Sequence, residues 1–227
     1  MLKSGTAHWG TVAKSFHWTI VLLLIMQGAV GLIMVDMPKR PGTIPWYNFH
    51  KSVGLTILAL AVLRLLWRAF DPRPAEPAGM PRWQAWGARA GHALLYGLLF
   101  LVPLSGWWFD SVSALRPLYW FGLIQIPHLG APDPSIPDLK EIARGRHEWL
   151  FWILVVVAMG HALMALIHQF VHRNNVLGRM WPAPLQPKPK PAPLPETTHV
   201  TTDSAIAPAS AAVPDFNKTD FNKTDSD

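Results

Sequence analysis

His147-Glu-Trp-Leu-Phe-Trp-Ile-Leu-Val-Val-Val-Ala-Met-Gly-His161 is an almost unbroken apolar run closed at both ends by histidine. Carried on to residue 171, it is long enough to cross a bilayer, because a spanning helix needs about 20 mostly apolar residues. The two histidines are 14 residues apart, which at about 1.5 Å per residue is roughly 21 Å of helix. That spacing is also close to four whole turns, so both imidazoles leave the helix on nearly the same side. An ionisable or ligating side chain at membrane depth is costly and marks a functional site.

Working outward, three more apolar segments reach spanning length, at about 16–36, 50–69 and 91–110. The chain has 227 residues, half of them hydrophobic, with 12 Trp and only 15% charged residues. That composition suits a small membrane protein rather than a soluble domain. The expected fold is all-α: a four-transmembrane-helix bundle over residues 1–181, followed by a disordered tail over 182–227. In the tail, Pro and Lys alternate, then Thr, Ala and Ser dominate, and the chain ends in a tandem Asp-Phe-Asn-Lys-Thr repeat at Asp215–Thr219 and Asp220–Thr224. Such a segment has too little apolar surface to order itself. The two Asn-Lys-Thr glycosylation patterns within the repeat are read as accidents of composition. The first apolar segment is followed by Asp36, Met37, Pro38 and Lys39 rather than a small-residue cleavage site, so it is expected to be a retained helix.

The net charge of +6 does not point to nucleic acid, because the basic residues cluster at the ends of apolar segments, where a membrane surface explains them. Placing both termini in the cytoplasm puts Lys3, Lys14, Arg64, Arg68, Arg73, Arg82, Arg89, Arg173, Arg179, Lys188 and Lys190 inside. Outside are Lys39, Arg40, Lys51, Arg116, Lys140, Arg144 and Arg146. The excess lies within, as the positive-inside rule requires. Zero Cys excludes disulfides, thiolate-held iron–sulfur clusters and covalent c-type haem attachment.

Topology assigns each histidine a depth. His17 opens the first span near the inner face. His50 opens the second and His147 the fourth, both near the outer face, and His161 lies deep on the inner side. Depth then pairs His50 with His147 and His17 with His161. Imidazole is a common haem ligand, so each pair is expected to clamp one non-covalent haem inside the bundle, where cofactor sites are built from facing helices. Gly54 and Gly160 beside the ligands, with Gly28 and Gly31 in the first span, would let a flat macrocycle approach the backbone. Arg64, Arg68 and Arg146 are read either as partners of haem propionates or as topology signals. His92 is read as a structural residue first, and otherwise as a third-helix partner or a proton donor to an inner quinone. His168 and His172 are taken as inner-interface residues, and His8, His128 and His199 as solvated. Pro103 with Ser105 and Gly106 is expected to bend the third span. The stretch 82–90 is read as an amphipathic lead-in, 138–146 as an outward extension of the fourth helix, and the 111–146 loop as lying partly on the membrane surface.

These residues carry a family likeness. The stretch Val-Ala-Lys-Ser-Phe-His-Trp ending at Trp18, Phe49–Gly54, and Leu-Arg-Leu-Leu-Trp-Arg ending at Arg68 are its first parts. His92–Tyr96 with Pro103–Trp107, His147-Glu-Trp149, Gly160-His161 and the closing Val-Leu-Gly-Arg-Met-Trp-Pro182 complete it. Over about residues 8–182 the chain resembles bacterial cytochrome b561 proteins. The resemblance implies a multi-pass protein of the bacterial inner membrane with two haem b groups, and it implies the same four axial ligands that depth selects. It also implies electron exchange with ubiquinone as acceptor or donor, and in some members oxidation of superoxide. The outer cations, Lys51, Arg144 and Arg146 among them, would steer a small anion toward the outer haem. Two roles are therefore expected: a superoxide:ubiquinone oxidoreductase, or a haem-bearing membrane anchor that exchanges electrons between quinone and a soluble periplasmic redox protein. A non-redox transporter or scaffold is disfavoured by the paired histidines.

Overall fold

The computed structural model describes residues 1–181, apart from 7, 39, 76–79, 114–115 and 173–175. The tail 182–227, with His199, Lys188, Lys190 and the terminal repeat, lies outside the described residues, as do Lys39 and Arg173. Four long helices carry the fold: α1 (Thr11–Val35), α2 (Ile44–Phe70), α3 (Arg82–Ser113) and α4 (Leu139–Phe170), followed by a short α5 (Val176–Met180). All four are long and apolar enough to cross a membrane. Their outward faces leave Leu22, Ile25, Val156 and Met159 about two-thirds exposed, an arrangement that lipid solvates and water does not.

Each helix begins before the span read from hydropathy, since hydropathy reports the hydrocarbon-soluble part while helical hydrogen bonding continues through the flanking residues. The stretch 82–90 is the first part of α3 itself, and α4 begins at Leu139. Pro103 sits inside α3, which continues through it.

At the N-terminal end of α1, the first residues fold back over the start of the helix. The N–H groups of Thr11 and Val12, which have no partner within the helix, donate to the carbonyls of Met1 (3.1 Å) and Leu2 (3.5 Å). Only glycine fits at position 10, because a Cβ there would collide with the Leu2–Ser4 backbone. Asp71, buried at the end of α2, ties this segment down: Ser4 donates its N–H (2.8 Å) and its Oγ–H (2.5 Å) to the carboxylate.

Helices α1 and α2, α2 and α3, and α3 and α4 pack side by side. Ile20, Val53, Ile57, Ala61 and Leu99 form a buried apolar cluster. Its α2 members lie between His50 and Arg64, so apolar packing separates the two ends of that helix.

Among the described residues, the loop between α3 and α4 holds the one element that is not helical, a hairpin of β1 (Leu118–Trp120) and β2 (Ile124–Ile126). Its turn has positive φ at Phe121 (48°) and Gly122 (73°), the backbone hand that suits tight hairpins. The hairpin is pinned to α2. Phe121 N–H donates to the Ser52 Oγ (2.9 Å), and the Trp120 indole N–H donates to Thr56 Oγ1 (3.1 Å). On the other side, Trp107 Nε1 donates to the Pro127 carbonyl (2.9 Å) and Leu129 N–H to Ser111 Oγ (2.9 Å). The hairpin part of the loop is thus docked against α2 and α3.

Candidate functional site

Each long helix presents two positions 14 residues apart: His17 and Gly31 on α1, His50 and Arg64 on α2, His92 and Gly106 on α3, His147 and His161 on α4. Four helical turns put the members of each pair on one face, roughly 21 Å apart along the axis. Contacts gather these positions into two groups, one toward each end of the bundle.

In the group expected at the outer face, the rings of His50 and His147 face each other with centroids 6.4 Å apart and planes at 89°. Two glycines make room for them. A Cβ on Gly31 would stand 3.2 Å from His50 Cε1, and one on Gly106 would stand 3.0 Å from His147 Cε1. The His147 ring is held from behind. Its Nδ1 lies 3.1 Å from the Val102 carbonyl and 3.0 Å from Ser105 Oγ. Ser105 spends its own proton on the Val102 carbonyl (2.7 Å), so it accepts from His147 Nδ1–H, which leaves Nε2 with a free lone pair. The backbone carbonyl of His50 takes a bond from Gln27 Nε2 (2.7 Å), while His50 Nδ1 has no partner among the described residues.

In the group expected at the inner face, His17 and His161 face each other with centroids 6.5 Å apart and planes at 76°. His92 lies nearer to His161, at 5.2 Å. The Arg64 guanidinium reaches His17, with Nη2 3.4 Å from Nδ1, and lies 5.4 Å over the Tyr96 ring. Arg68 stands over Trp9 (5.7 Å) and the same Tyr96 (5.9 Å).

An imidazole nitrogen sits about 2 Å from a bound transition metal, with its ring centroid about 1.2 Å further back, so two imidazoles across one iron have centroids about 6.4 Å apart. Both facing pairs match this span, whereas His92 and His161 are too close for it. All four facing imidazoles are half-buried between helices. The donor set and the glycine clearances therefore fit a pair of flat, bis-imidazole iron cofactors.

Residues 8–183 match the family described as prokaryotic cytochrome b561. The chain belongs to that family. It is similar to cytochrome b561 homolog 2 of Escherichia coli K12, with 32% identity over 76% of this chain and 90% of that protein. It is also similar to the probable superoxide oxidase CybB of Yersinia pestis, at 30% identity over 73% of this chain and 91% of the relative. Cytochrome b561 homolog 1 of E. coli K12 is 26% identical over 73% of the chain and 92% of its own length. As a cytochrome b561 family member, the protein is a multi-pass membrane cytochrome whose cofactor is b-type haem, and it acts as an oxidoreductase or electron carrier.

The remaining expected residues of this cytochrome fall as follows. Lys51, next to His50, forms an ion pair with Asp110. Arg146 is exposed and lies 5.4 Å over the Trp108 ring, and Arg144 is exposed nearby. Gly28 faces Phe151 and Gly54 faces Gln27, whereas a Cβ on Gly160 would meet nothing within 4 Å. His168 is buried and contacts the exposed His172, with centroids 5.1 Å apart, while His8 and His128 are exposed. Gly106, Ser105 and Gln27 were not singled out from sequence as neighbours of the facing histidines. The 14-residue interval already visible on α4, applied to His92, would have marked Gly106.

Proposed function

We propose that this cytochrome holds two haem b groups, one ligated by His50 and His147 and the other by His17 and His161. We propose further that it carries electrons from an outer-face donor, superoxide, to ubiquinone across the bacterial inner membrane, with both termini cytoplasmic. The observation that carries this reading is the presence of two imidazole pairs, 6.4 and 6.5 Å between centroids, at opposite ends of one bundle. Haem supplies one-electron redox chemistry at each end. Two superoxide anions would each give up one electron and leave as dioxygen, and one ubiquinone would take both electrons and two protons to become ubiquinol.

The chain's own residues serve the transfer in distinct ways. Val102 and Ser105 hold His147 in the tautomer whose Nε2 is free to bind metal, and this support orients a ligand and raises its basicity. Gly31 and Gly106 leave the imidazoles clear of the neighbouring backbones. The exposed cations Arg40, Arg116, Lys140, Arg144 and Arg146 favour a small anion at the outer face, and such a field raises its encounter rate. Lys51 is neutralised by Asp110 and adds little to that field. The similarity to a probable superoxide oxidase supports the choice of donor.

The test is pyridine haemochrome quantification on folded protein, with two haems per chain expected and fewer than two refuting the ligand scheme. Stopped-flow reduction by superoxide should slow as ionic strength rises, and a salt-independent rate would remove the steering argument.

A second reading is favoured by the hairpin. Its tip exposes Leu123 (83%), Ile124 (52%) and Phe121 (50%), an apolar prominence suited to docking a soluble periplasmic redox protein. In that case the chain is a haem-bearing anchor, and a stoichiometric periplasmic partner would co-purify with it.

A further inference from the structure

The two imidazole pairs differ in what stands behind their rings. His147 Nδ1 faces two oxygen acceptors, the Val102 carbonyl at 3.1 Å and Ser105 Oγ at 3.0 Å. A ligand whose outer nitrogen donates to oxygen is the more electron-rich and favours the oxidised metal. His17 Nδ1 faces a guanidinium at 3.4 Å. Guanidinium can only donate and stays charged, so with the proton on Nδ1, as ligation through Nε2 requires, His17 gains no acceptor there and stands beside a fixed positive charge.

The surroundings do not cancel this charge. Among the described residues, no carboxylate forms an ion pair with Arg64. Its neighbours are the Tyr96 ring, on which it lies, and Arg68 over the same ring. The side chain is half-buried, and the apolar cluster of Val53, Ile57 and Ala61 flanks it along α2. Among the described residues the outer group has no equivalent. Lys51 is neutralised by Asp110, whose Oδ2 is buried with no hydrogen-bond partner. Arg146 is exposed, where solvent and salt screen it.

We propose that Arg64 is a positioning residue that poises the inner centre at a higher reduction potential than the outer one, so that an electron arriving at the outer face is drawn inward. In the internal step one electron leaves the outer centre, which is oxidised, and reduces the inner centre. The electron is supplied by the one-electron donor outside and removed by the quinone. A nearby cation disfavours the more positive oxidised state, which raises the potential, whereas acceptors behind the opposing ligand lower it. If a propionate takes up the guanidinium, removing Arg64 uncovers that anion and the shift has the same sign.

This inference rests on the two-haem reading above, and the test separates the two. Haem content and the low-spin spectrum of wild type are measured first, and failure there overturns the ligand scheme itself. Spectroelectrochemical titration of the two-haem protein should then resolve two components. Arg64→Gln should lower the higher component, leave the lower one in place, and shrink the equilibrium constant for electron exchange between them by at least about tenfold. Arg64→Lys, which keeps the charge, should restore most of the separation. Ser105→Ala should raise the lower component, and it provides an independent check if Arg64→Gln fails to fold. An Arg64→Gln titration that matches wild type, or that moves the lower component instead, would overturn the proposal, as would an Arg64→Lys titration like that of Arg64→Gln.

Discussion

Gly106→Ala tests the outer site at a single carbon atom. The added Cβ would lie 3.0 Å from His147 Cε1, 3.3 Å from Nδ1 and 3.5 Å from Nε2. A ring held by Val102 and Ser105 on its Nδ1 edge cannot retreat without loosening those bonds. Overpacking of this kind costs about 1–3 kcal/mol, which is roughly a 5- to 150-fold loss of affinity for the haem proposed to bind at His147. Gly31→Ala is the graded comparison. Its nearest contact is 3.2 Å, to His50 Cε1, and His50 Nδ1 has no hydrogen bond to break, so the loss should fall near the lower end of that range. Gly87→Ala is the control, because Gly87 is exposed on α3 with nothing within 4 Å of its Cβ. It should be neutral or slightly stabilising, as alanine is the better helix former. The assay is transfer of haem from each variant to an excess of apomyoglobin, followed spectroscopically as two phases. Gly106→Ala should accelerate one phase only, and more than Gly31→Ala does. Unchanged transfer in Gly106→Ala, or equal acceleration of both phases, would refute the reasoning.

Other outcomes follow from the same geometry. His147→Ala should lose the outer haem and keep the inner one, and His161→Ala should do the reverse; folded His147→Ala protein that retains both haems would refute the pairing. The imidazole planes are close to perpendicular, at 89° and 76°, so the ferric protein should give strongly anisotropic low-spin electron paramagnetic resonance signals, and signals of the parallel-plane type would contradict the ring orientations. Ser52→Ala removes the hydroxyl that accepts from Phe121 N–H, a loss of about 1 kcal/mol; amide exchange at residues 118–126 should rise several-fold, and unchanged protection would mean that the hairpin is held by other contacts. Asp71→Ala leaves the Ser4 donors without their carboxylate, at a cost of about 1–3 kcal/mol; thermal unfolding should shift downward and the N-terminal segment should become protease-sensitive, and neither effect would be seen if this N-terminal cap is dispensable.

Apolar run length and imidazole spacing were enough to read four spanning helices, two histidine pairs and a haem protein. Both signals are local, since a bilayer admits helices that satisfy their own backbone and a fixed helical rise converts residue intervals into depth. Helix ends were less legible, because helical hydrogen bonding outlasts the apolar stretch. The hairpin at Leu118–Ile126 was missed because its strands are three residues each, and what holds them is Ser52 and Thr56, far away in the chain.

What the sequence determined alone is therefore the four apolar helices and the intervals at which their histidines recur. Only the tertiary structure decided what stands beside each one. Lys51 and Arg64 read alike as basic residues near a helix end, yet packing gives Lys51 an aspartate and Arg64 an imidazole. Gly106 reads as part of a proline bend, yet it faces His147 across α3 and α4. Which side chains meet depends on how helices rotate and dock against one another, and no interval along a single helix contains that information.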